Sequence, residues 1–101
     1  MKVREKQYGH VYEVFGIYWH ADHTYFCCLN HADSALNVLD STEAEVIDAR
    51  LGAQFVFHKT ANQMNGVFHV HLLVNSLLDR LLEYERAAYD EFLRLLSNAQ
   101  P

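Results

Sequence analysis

The chain carries no motif that announces a reaction. There is no glycine-rich phosphate loop, no dinucleotide fingerprint and no G-x-S-x-G. Nothing therefore implies a cofactor. Positive charge is scarce: eight Lys and Arg against thirteen Asp and Glu leave a net charge of −5. The one locally basic stretch, Lys2, Arg4 and Lys6, is interrupted by Glu5. The basic stripe that nucleic-acid binding needs is missing, so no nucleic-acid partner is expected. No apolar run reaches membrane-spanning length and no signal-peptide pattern is visible, so no membrane partner is expected. Cysteine is limited to the adjacent pair Cys27 and Cys28, which is no disulfide framework. Two thiols point to a reducing cytoplasm, and on a strand they face opposite sides. Repeats, linkers and low-complexity tracts are absent.

What is present is half hydrophobic and rich in aromatic residues and histidine. At 101 residues the chain reads as a single domain over 1–101, large enough to bury a core. Residues 8–19 read as a long aromatic and β-branched strand, with Val11, Phe15, Ile17 and Trp19 toward the core. Gly16 within it signals a bulge, which leaves the face of Glu13 open. Further strands are expected over 24–30, 35–39, 53–59 and 67–74, with Asn65-Gly66 as a turn. Residues 3–7 show no firm pattern. In 40–52, one helical turn near 41–44 followed by a short strand is the expectation.

The clearest element is the last. From Ser76 to Ser97 apolar residues recur at helical spacing, and Ser76 with Asp79 resembles a capping box. The fold class is then α+β: a strongly curved antiparallel sheet, or small open barrel, of five to six strands within 8–75, with one long C-terminal amphipathic helix over 76–97. The apolar arc of that helix is roughly 180° wide where a core contact needs about 100°. The surplus predicts self-association as a two-fold dimer, along the edge with Tyr84, Ala88 and Leu95 or that with Leu82 and Leu93.

Two constellations are candidates for chemistry. Glu85 falls in the middle of the apolar arc, where a carboxylate must be paired or neutral, so burial and a raised pKa are expected. With Tyr12, Trp19 and Tyr89 it outlines an aromatic pocket suited to a cationic or amine small molecule. The alternative is a metal face. His69 and His71 share one side of a strand, and in either hairpin register considered His58 joins them. No carboxylate or cysteine accompanies them at ligand spacing, so the first expectation is no bound metal. His20 and His23 around Asp22 read as a polar turn, and neither cysteine has the base and orienting group a nucleophile requires.

The sequence thus reads as a small cytoplasmic, non-enzymatic interaction or ligand-binding module that self-associates. The alternative is a small enzyme or metal-binding protein using the His58, His69 and His71 face or the pocket carboxylate Glu85.

Overall fold

A computed structural model describes residues 1–98. It is a sheet-rich α+β fold with seven antiparallel strands and two helices. The strands are β1 (Lys2–Glu5), β2 (Val11–His20), β3 (His23–Asn30), β4 (Ala35–Asp40), β5 (Ala44–Asp48), β6 (Phe55–Lys59) and β7 (Asn65–His69). The order β4-β3-β2-β1-β5 forms the main path, while β7 lies on β2 and carries β6. The sheet does not close into a barrel.

The long strand β2 is the hub. Its first residues pair with β1, and Gly16–Trp19 pair with β7. From Val14 to His20 it also pairs with β3. The β2–β3 register shifts between Val14 and Gly16, so the expected bulge is present. It inverts the alternation. Before it, Phe15 joins a large core beneath the helices, and Tyr12 and Val14 join a smaller core with Val3, Phe26 and Ala44 on the other face. After it Ile17 sits on the small-core side and Tyr18 on the helix side. Trp19 is 45% exposed, not core. Cys27 and Cys28 do face opposite cores. Residues 3–7 are firmer than expected, because Val3 is fully buried between β2 and β5.

The β6–β7 hairpin has its own register. Asn65-Gly66 is not its turn but the start of β7. The loop is closed by Thr60 N donating to Met64 O at 2.8 Å, with Gln63 at φ +66°. Strand 67–74 is cut short at His69, and Val70–Leu73 is a 3-10 turn. Residues 41–43 form the expected turn and 44–48 the expected strand. The turn is capped by Asp40, whose carboxylate accepts from Thr42 N at 2.9 Å.

The helix expected over 76–97 is two, α1 (Leu77–Leu82) and α2 (Arg86–Asn98). Tyr84 adopts φ +62° and Glu85 N donates back to Arg80 O at 3.0 Å, closing the first helix. Ser76 itself is left-handed and makes no side-chain cap. The break lets both helices turn their apolar sides to one core: Leu77, Leu78, Leu81, Ala88, Tyr89 and Phe92 are buried. Leu82, Leu93, Leu95 and Leu96 pack around them. The wide arc is thus used against the sheet.

Candidate ligand-binding cleft around His69

Strand β7 ends at His69, and the chain immediately tightens into the 3-10 turn. His69 caps that turn: its Nδ1 accepts from His71 N at 3.2 Å. A ring nitrogen that accepts has no proton, so the neutral imidazole carries its hydrogen on Nε2. The ring lies edge-on to Phe15, Phe55 and Phe92 at centroid distances of 5.7, 5.5 and 6.1 Å. Only 7% of the residue is exposed. Burial, and then repulsion from His71, push its pKa down to about 4. At neutral pH His69 is therefore an uncharged donor held in an aromatic cage.

His69 forms part of the wall of a cleft of about 330 Å³, within the range of small-molecule sites. Phe15, Phe55, Leu51 and Leu96 supply its apolar surface. Glu13 and Gln54 supply polar groups. Glu13 reaches this side because it precedes the bulge and shares the face of Phe15. It is exposed and enters no ion pair among the described residues. Behind His69, the His71 ring lies 4.9 Å away, centroid to centroid, and its Nε2 is buried without a hydrogen-bond partner.

The residues singled out in the sequence are dispersed. Glu85 is neither buried nor raised in pKa. Arg80 clasps its carboxylate at 2.8 and 3.0 Å, and that hydrogen bond, opposed by slight desolvation, lowers the pKa. Tyr12 borders a hollow on the opposite side of the sheet with Tyr8 and Leu39. Trp19 stands exposed at the far end of β2. Tyr89 is buried, its hydroxyl 2.6 Å from His31 Nδ1. These four do not share a pocket.

The trio of histidines also separates. Phe55 opposes His69 and His58 opposes Gly66, so His58 lies on the other face of the hairpin, its ring against Phe68. His69 and His71 remain neighbours. Among the described residues no group of three His, Cys, Asp or Glu side chains is placed to hold a metal ion. Both thiols are buried with pKa values pushed up to about 12, which makes them poor nucleophiles.

A second cleft of about 380 Å³ lies between the hairpin loop and α1, with His58, Lys59 and Asp79 on its rim. Lys59 and Asp79 are exposed, so water satisfies them. The His69 cleft differs in having an uncharged imidazole, ringed by aromatic side chains, in its wall.

Reasoning from sequence missed Glu13, Phe15, Gln54 and Phe55 as a group. The available signal was Gly16, whose bulge decides which side Glu13 joins. Compared with known proteins, the chain matches no family model, no curated sequence and no solved structure.

Proposed function

We propose that this protein is a non-enzymatic binding module whose cleft around His69 takes a small amine carrying a hydrogen-bond acceptor and an apolar segment. The observation that carries this reading is His69 itself: a neutral imidazole, nine-tenths buried, in the wall of a cleft. Its Nδ1 is already engaged by His71 N, so the Nε2–H is the ring group left for what enters the cleft. The Nε2–H favours an acceptor, an ether or carbonyl oxygen. Glu13 favours a cation at the open end, and the phenyl rings of Phe15 and Phe55 suit an apolar segment between them. The amine expected for a pocket carboxylate is retained, with Glu13 in place of Glu85. Binding is preferred to catalysis because the thiols are inert and His69 has no nucleophile beside it to activate.

The test is a calorimetric titration at pH 7 with three probes of one shape: 3-methoxypropylamine, its N-acetyl derivative and 3-methoxypropanoate. The amine is expected to bind best and the carboxylate not at all. Glu13→Gln is expected to weaken the amine about ten-fold, the size of one exposed charge contact. Equal binding of all three probes, or indifference to Glu13→Gln, would rule out the reading.

A further inference from the structure

The sheet leaves three edges: β4, β5 and β6 each pair with a single neighbour. Two of them are guarded. Strand β5 carries Glu45 and Asp48, so a second copy laid along it brings further carboxylates to the seam. On β4, Asn37 is engaged by Tyr84 Oη at 2.6 Å and by Asn30 at 2.7 Å, and the strand ends in Asp40. Strand β6 has no acidic residue, and at its centre Phe57 is 68% exposed.

The register shows which backbone groups are free. Val70 N donates to Gln54 O and Thr60 N to Met64 O, each at 2.8 Å. Between these bonds Val56 opposes Phe68 and His58 opposes Gly66. Bonding alternates along an antiparallel pair, so the even-numbered residues of β6 bond to β7. Phe55, Phe57 and Lys59 therefore turn their N–H and C=O groups outward. Among the described residues no other hydrogen bond uses them.

We propose that the chain pairs with a second copy of itself through the open edge of β6, antiparallel and centred on Phe57. The edge is complementary to itself. A two-fold axis through Phe57 sets Phe57 against Phe57, and Phe55 of each copy against Lys59 of the other. Every outward N–H and C=O then finds a partner. Each Lys59 ammonium meets a phenyl ring instead of the other ammonium, which avoids like-charge contact and offers a cation–π contact. Phe55 also lines the cleft around His69, so the second copy's Lys59 reaches the margin of that cleft. This surface differs from the helix edges expected from the sequence, where Ala88 is buried, Leu82, Leu93 and Leu95 pack partly buried against the core, and Tyr84 is exposed.

Sedimentation equilibrium from micromolar to millimolar concentration, together with amide hydrogen exchange, tests it without reference to any ligand. The expected result is a reversible dimer in which exchange at Phe55, Phe57 and Lys59 slows about ten-fold or more with concentration, because those amides gain partners. Val56 and His58 are already bonded and change little. Phe57→Lys is expected to give a monomer, its fold checked by the unchanged protection of Val56 and His58. Val46→Lys on β5 and Val38→Lys on β4 are expected to leave the dimer intact. A monomer at every concentration overturns the proposal, and so does a dimer that survives Phe57→Lys or dissolves in Val46→Lys or Val38→Lys.

Discussion

A histidine with phenyl rings on three sides has little water to stabilise an imidazolium. That is the cause of the low pKa of His69, and it sets a pH dependence. The folded state binds this proton less tightly than the unfolded chain, whose histidine titrates near 6.5. Stability is therefore lost as pH falls from about 6.5 toward about 4. Urea unfolding of wild type and His69→Asn at pH 7 and pH 4 measures it. The asparagine keeps an acceptor for His71 N and cannot titrate. Wild type is expected to lose on the order of 2–3 kcal/mol more than the variant over that range. Glu85 runs the other way. Its pKa is lowered by Arg80, so its contribution is present above the ordinary carboxylate range and fades as pH falls through the folded value. The pair is exposed, so Glu85→Gln is expected to lower the melting temperature only slightly at pH 7 and not at all in acid. The helical spacing that puts Glu85 in the middle of the apolar arc assumes an unbroken helix, and Tyr84 in the left-handed region breaks it.

Among the elements, strand and helix types were legible where the apolar spacing was strong, and boundaries were not. The helix break has no Pro or Gly to mark it: a Tyr takes the left-handed turn, and the Arg80–Glu85 clasp and the Tyr84–Asn37 hydrogen bond hold it there. The hairpin register was misjudged because Asn65-Gly66 has turn chemistry, yet Gly66 is required in the strand for space. A Cβ there meets the Phe68 ring at 2.5 Å and the Ile17 carbonyl oxygen at 2.6 Å. At Gly16 a Cβ meets the Phe68 ring at 2.5 Å but no backbone so closely. The two glycines should therefore behave differently. Gly16→Ala and Gly66→Ala are each expected to cost about 2–3 kcal/mol in chemical denaturation, as overpacked sites do. In a Phe68→Leu background the Gly16→Ala cost should fall by half or more. The Gly66→Ala cost should persist, because a carbonyl of β2 cannot rotate away. Equal relief at both sites would mean that the ring alone demands the glycines.

For the molecule as a whole, composition and periodicity lead to an α+β fold with an antiparallel sheet, which holds, but to five or six strands and one long helix where there are seven strands and two helices. They did not reveal that the sheet has a second, smaller core, or which residues meet in a cleft. Those depend on one extra residue at the β2 bulge and on where the hairpin turns, both of which exchange faces without altering the alternating pattern. Thus Tyr12, Trp19, Glu85 and Tyr89, read together as one pocket, could not be sorted onto their separate surfaces. The proposed function rests on His69 donating its Nε2–H into a ligand cleft. The most direct measurement is the nitrogen-15 and proton spectrum of the histidine rings at pH 7, recorded while 3-methoxypropylamine is added. His69 is expected to be neutral with its proton on Nε2, and its Nε2–H resonance is expected to move saturably with amides of Gln54 and Phe55. Movement confined to His58 and the α1 groove, or a His69 that carries its proton on Nδ1, would contradict it.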